Sequence, residues 1–135
     1  MSEETREGAC HCGAVKFRAT LPDGLADASR CTCSICRMRG AVSLTASAVE
    51  VTDGEEHNAL YQFNTRTAEH HFCRLCGIYT FHRRRSDPRQ FGVNAACLDG
   101  VSPFDFADLP VSDGEHHTSD GHAPRLAGRL RFEKT

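Results

Sequence analysis

His71-Phe72-Cys73-Arg74-Leu75-Cys76-Gly77-Ile78-Tyr79-Thr80-Phe81-His82 sets a Cys-x-x-Cys-Gly turn between two extended runs. Two thiols three residues apart can face one ion when the backbone folds tightly and directs its N–H groups at the sulfurs. The glycine after the second cysteine supplies the positive φ that such a turn requires. The residues after the turn are β-branched or aromatic, so a strand follows it and not the helix that a thioredoxin-like redox pair would open. A hairpin with sulfur at its tip is the expectation, and the remaining cysteines are read against it.

The N-terminal Cys10-His11-Cys12-Gly13 repeats the arrangement of sulfur followed by glycine. A tetrahedral zinc site needs four ligands, and two such pairs provide them. Cys10, Cys12, Cys73 and Cys76 are therefore expected to form a closed structural Cys₄ zinc site, cross-linking about 60 residues of chain and removing loop freedom from the unfolded state. Cys31-Thr32-Cys33-Ser34-Ile35-Cys36 has a different arithmetic. Three thiols fall within six residues and have no obvious fourth partner, which is the pattern of a reactive second zinc. The fourth position is open to water, Cys97, a histidine or the thiol of a substrate. Cys31, Cys33 and Cys36 are thus the catalytic candidates. Arg37 and Arg39, just beyond them, read either as a carboxylate clamp or as surface charge.

The other segments alternate with a period of two. Val15, Phe17 and Ala19 share one face, with Lys16 and Arg18 on the other; Val42 and Leu44, the stretch 59–64, Phe91-Val93-Ala95 and Leu130-Phe132 continue the pattern. Turn signals recur every eight to fifteen residues and no long 3.6-residue period occurs, so the fold class is mainly β, with folded sheets and few helical turns. Short helical turns are expected at 22–30 and 102–109. The organisation is a tail at 1–7 and a single domain over 8–135. Cys97 reads as a buried apolar-like residue at a strand end. Of His70 and His71, one faces in as a satisfied core residue. Ser112 to Pro124, with His116, His117 and His122, reads as a surface loop whose polar positions could also line a pocket.

Composition narrows the function. The 135 residues carry 16 basic and 18 acidic side chains, a net charge of −2 with neutral histidines. That balance gives no general attraction to nucleic acid or to an anionic membrane. The one basic run, Arg83-Arg84-Arg85, reads as a solvated strand end or loop. Without a signal-like start or an apolar stretch of membrane length, the expected location is cytoplasmic, where reduced thiols favour metal binding over disulfides.

Four stretches together resemble the glutathione-dependent formaldehyde-activating enzyme family, whose domain is shared with centromere protein V. They are Gly8 to Phe17, Cys31 to Arg37, His71 to Gly77 and Val93-Asn94-Ala95-Ala96-Cys97-Leu98-Asp99. The resemblance spans about residues 8–100. It implies a β-tent fold, a structural zinc on Cys10, Cys12, Cys73 and Cys76, and a catalytic-type zinc on Cys31, Cys33 and Cys36. It also implies carbon–sulfur lyase chemistry on adducts of a glutathione-like thiol with a small aldehyde such as formaldehyde. The alternative is a non-catalytic, zinc-scaffolded binding module with a labile three-cysteine metal site.

Overall fold

The alternating segments become strands in the computed structural model, which describes residues 3–135. β1 (Glu4–Ala9) and β2 (Lys16–Leu21) form an antiparallel hairpin in register Ala9 to Lys16, and β5 (Ala48–Asp53) pairs with the far edge of β2. A five-stranded antiparallel sheet runs in the order β4 (Ser43–Ala46), β9 (Phe91–Asn94), β8 (Tyr79–Arg83), β7 (Glu69–Cys73), β6 (Asn58–Tyr61). A third sheet joins β11 (Leu126–Arg131), β10 (Asp108–Ser112) and the two-residue β3 (Arg30–Cys31), the last pairing in parallel. Among the described residues there is one α-helix, α1 (Ser34–Arg39), between β3 and β4. The protein is mainly β, as its period of two requires.

The core sits where β2 crosses the five-stranded sheet. Phe17, Ala19 and Leu21 are fully buried on one face of β2, against Leu44 and Ala46 of β4 and Phe81 and Val93 of the central strands. The Phe17 and Phe81 rings lie 5.9 Å apart and tilted, a favourable aromatic arrangement. A smaller apolar cluster of Val15, Cys10 and Cys73, with Ala14 and Val51, closes the end of the molecule where the β1–β2 and β7–β8 turns meet.

Several expectations need correction. β1 starts at Glu4, so most of the presumed tail at 1–7 belongs to a sheet; Met1 and Ser2 lie outside the described residues. The stretch 22–30 holds turns and β3 but no helix, whereas 102–109 does contain a 3₁₀ turn, Pro103–Asp105, capped by Ser102. α1 was not anticipated: six residues are too few to show a 3.6-residue period. Among the described residues, no helix is long and apolar enough to cross a membrane.

Gly54 is a local keystone. Its φ is +78°, and a Cβ built there would lie within 3 Å of the Ala14 carbonyl, beside the turn that carries Cys10 and Cys12. Gly54→Ala should therefore destabilise the protein by about 3 kcal/mol or more, from overpacking and left-handed strain together. Urea unfolding of the two proteins, compared by midpoint and slope, measures it.

Candidate metal centres and the cleft beside them

Two turns of similar construction bring the first four sulfurs together. In each, the first cysteine's N–H donates to the carbonyl five residues on, Cys10 to Val15 and Cys73 to Ile78, both at 3.0 Å. In each, a glycine with φ near +80°, Gly13 or Gly77, donates back to that cysteine's carbonyl. The turns also aim N–H groups at sulfur: Val15 N lies 3.3 Å from Cys10 Sγ, and Leu75 N lies 3.3 Å from Cys73 Sγ. Sulfurs of a tetrahedral zinc site at 2.3 Å from the metal stand roughly 3.8 Å apart. Cys10 Sγ is 3.7 Å from Cys12 Sγ, which is 3.8 Å from Cys73 Sγ, and all four ligand atoms, Cys76 included, lie within 4.8 Å of one another. The spacing, the N–H donors and the apolar backing fit zinc.

The second group is built by β3 and α1. Cys31 ends the strand, Cys33 is the residue before the first helical turn, and Cys36 lies in that turn. Cys33 N donates to Cys31 Sγ at 3.4 Å. The helix stops at Gly40, which takes a left-handed conformation and donates to the Cys36 carbonyl at 3.0 Å. The three sulfurs lie within 4.8 Å of one another and could hold a metal ion. Among the described residues no fourth Cys, His, Asp or Glu joins them. Cys97 lies instead in the core, its thiol directed at the Tyr79 carbonyl 3.5 Å away and pushed up to about 12 by burial. Within the trio the Cys33 thiol is pulled far below the usual thiol range by hydrogen bonds from Cys31 and Cys36, and the Arg39 guanidinium adds to the effect.

All three cysteines line a cleft of about 630 Å³. Its wall beside Cys36 is organised by Arg39. Nη1 donates to His70 Nδ1 at 2.9 Å, Nη2 reaches His82 Nδ1 at 3.2 Å and Cys36 Sγ at 3.7 Å, and Cζ sits 3.7 Å above the Tyr79 ring centroid. His70 and His82 are cross-strand partners on β7 and β8, with rings stacked at 5.2 Å. Burial first, then Arg39, lowers His70 to about 4 and His82 to about 2, so both imidazoles are neutral near pH 7. Arginine can only donate, so His70 accepts at Nδ1 and carries its hydrogen on Nε2. That nitrogen is buried and has no partner. His70 is thus an inward residue, as alternation demanded, but one left unsatisfied and set on the cleft wall.

The segment 112–125 forms the opposite rim, where Asp113, Gly114, His117, Thr118, Pro124 and Arg125 line the cleft. Burial raises the Asp113 carboxyl, but its hydrogen bonds with His116 and the nearby Arg125 outweigh that and hold it below the ordinary range. His116 Nδ1 and Arg125 Nη2 each lie 2.9 Å from its Oδ2. His116 packs edge-on against His122 and, like it, is not among the residues lining the cleft. Arg37 is exposed, whereas Arg39 turns inward. The basic run is also not a solvated strand end throughout: Arg83 ends β8, while Arg84 and Arg85 line the cleft. Sequence reasoning missed the roles of Arg39, His82 and Tyr79. Gly40 after a short run with Arg37 and Arg39 was a usable helix-stop signal.

The sequence profile of the family described as glutathione-dependent formaldehyde-activating enzyme matches residues 5–108. A Halomonas elongata protein bearing that family name is 41% identical over 80 residues, covering 52% of this chain and 50% of that protein, so the chain spans about half the length of this relative. A crystal structure of a Rhodobacter sphaeroides protein superposes with a TM-score of 0.75 at 55% identity, over 78% of this chain and 98% of that one.

Gly114 tests how the rim supports the trio. Its N–H donates to Thr32 Oγ1 at 3.0 Å, and a Cβ there would fall 2.7 Å from the Cys33 Cβ and closer still to Cys31 Sγ. Gly114→Ala must push the rim and the trio apart. We expect it to lower zinc content by about one ion per chain in elemental analysis, while the four-cysteine site stays filled.

Proposed function

The chain belongs to the glutathione-dependent formaldehyde-activating enzyme family, and from that premise we propose that it is a zinc-dependent carbon–sulfur lyase-type enzyme joining a glutathione-like thiol to a small aldehyde such as formaldehyde, and reversing that step. One observation carries the reading: Cys31, Cys33 and Cys36 converge on a cleft with three sulfurs and no fourth protein ligand among the described residues. A non-catalytic scaffold would close such a site; an enzyme leaves a position for substrate.

Cys10, Cys12, Cys73 and Cys76 would hold a structural zinc, and Cys31, Cys33 and Cys36 a second one. Bound there, zinc supplies a Lewis acid that lowers the pKa of a thiol and a template that orients it. The chain's own residues do the rest. Arg39 lies against Cys36 Sγ and tempers the negative charge that three thiolates accumulate. His70 and His82, held neutral by burial and by Arg39, do not take up the proton that the substrate thiol releases; the proton leaves to water in the cleft. The thiol sulfur then forms a bond to the aldehyde carbon, the carbonyl π pair moves to oxygen, and that oxygen recovers a proton from water. Cleavage of the adduct reverses each step. Reduced thiols at both clusters suit a cytoplasmic setting.

Cys33→Ser tests the assignment. We expect the catalysed rate of S-hydroxymethylglutathione formation, followed by NMR exchange spectroscopy, to fall by about 100-fold or more, with one zinc fewer per chain. Equal rates in the two proteins would end the catalytic reading.

A further inference from the structure

The cleft is lined by Arg30, Arg39, Arg84, Arg85 and Arg125 against the single carboxylate of Asp113. Three of the five cations are already engaged. Arg125 pairs with Asp113, Arg85 pairs with Asp120, and Arg39 is spent on His70, Tyr79 and Cys36. Arg30 and Arg84 are both half-buried, and among the described residues neither guanidinium makes a hydrogen bond or a salt bridge. Arg84 goes further, because its Nε is enclosed and has no acceptor at all. A guanidinium drawn out of water without a partner is unfavourable, and proteins seldom keep such groups idle. The two stand on different walls. Arg30 precedes Cys31 on β3, in the three-stranded sheet that carries the rim; Arg84 follows β8 of the five-stranded sheet, on the side of His82 and Tyr79.

We propose that Arg30 and Arg84 form two separate carboxylate subsites in the cleft of the three-cysteine cluster, one for each acid end of the glutathione-like thiol. The inference rests on the function proposed above and names the residues that hold its co-substrate. A planar fork on each wall matches a planar carboxylate through paired N–H bonds. A phosphate site would instead gather several cations or backbone N–H groups around one point. Arg30 and the three cysteines line the same cleft, so an acid held at Arg30 keeps its thiol within that cleft.

The test is calorimetric titration of the zinc-loaded protein with glutathione and with its dimethyl ester, which keeps the thiol and removes both carboxylates. We expect the ester to bind at least about 100-fold more weakly than glutathione. Arg30→Gln and Arg84→Gln should each weaken glutathione about tenfold or more, together multiplying, and leave the ester unchanged. Arg84→Lys should fall between wild type and Arg84→Gln, because the charge remains and the fork is lost. Zinc content and far-ultraviolet circular dichroism confirm that each variant is folded. Equal affinity for acid and ester, or glutathione affinity unchanged in both glutamine variants, overturns the proposal. So does inorganic phosphate that competes with glutathione at equal concentration. Arginine-dependent binding without any catalysed adduct formation would leave these subsites standing and remove the enzymatic reading. Adduct formation untouched by the two substitutions would do the reverse.

Discussion

The meeting of two turns distant in sequence, Cys10 to Val15 and Cys73 to Ile78, is the constraint on which the remainder of this fold depends. Each turn is the end of a hairpin, and each hairpin belongs to a different sheet. A hairpin of six-residue strands is marginal alone. Where the four sulfurs converge, the β1–β2 hairpin lies over the five-stranded sheet, and the inward face of β2 lands on Leu44, Phe81 and Val93. The apolar contacts are ordinary in kind. It is the placement of one sheet over the other that the sulfur end specifies, and the small cluster of Val15, Val51 and Ala14 seals it from water.

With that end fixed, the opposite side of the five-stranded sheet is free to form a wall. Cross-strand pairing puts His70 beside His82, and the short helix places Arg39 against both. Arg39 thereby connects the three-cysteine cluster to the sheet through one rigid group. Its guanidinium touches sulfur on one side, imidazole nitrogen on another and an aromatic face beneath, a set of contacts that lysine could not reproduce. The rim approaches from the third sheet, and Gly114 marks where it comes so close that a methyl group does not fit.

How much of this was legible follows from how local each signal is. The period of two in Val15-Phe17-Ala19 and in Val42-Leu44 is a property of neighbouring residues, and the buried face of β2 appears where it reads. The cysteine spacing carried both groups, because thiols two or three residues apart can face one ion from a single tight turn. What the sequence hid was long-range. His70 reads as a core residue on alternation alone; that its Nε2 stays without a partner depends on Arg39, 31 residues away. The run Arg83-Arg84-Arg85 looks like a solvated strand end because composition does not record that the sheet turns its last residues toward a cleft. β1 reads as a tail because Glu3, Glu4, Arg6 and Glu7 show no apolar face; the strand exists because it pairs with β2, and only Gly8 of it is buried.

The two clusters also differ in what their electrostatics permit. Four thiolates would saturate a zinc ion, and such a site could only hold it. Three would leave a net negative charge of one and a weakly electrophilic metal, so polarising a carbonyl there would be unfavourable, whereas exchanging one ligand for another would not. A neutral lining would leave that charge to repel an incoming thiolate. The lining here is cationic, with arginines on both walls and on the rim. In a cleft partly shielded from water, such charges act over several ångströms with less screening than at an open surface. An anionic thiol would therefore be drawn in by the walls and not by the sulfur cluster itself. On the function proposed, attraction is separated in space from reaction, and the arginines could select the ligand without altering the cysteines that would act on it.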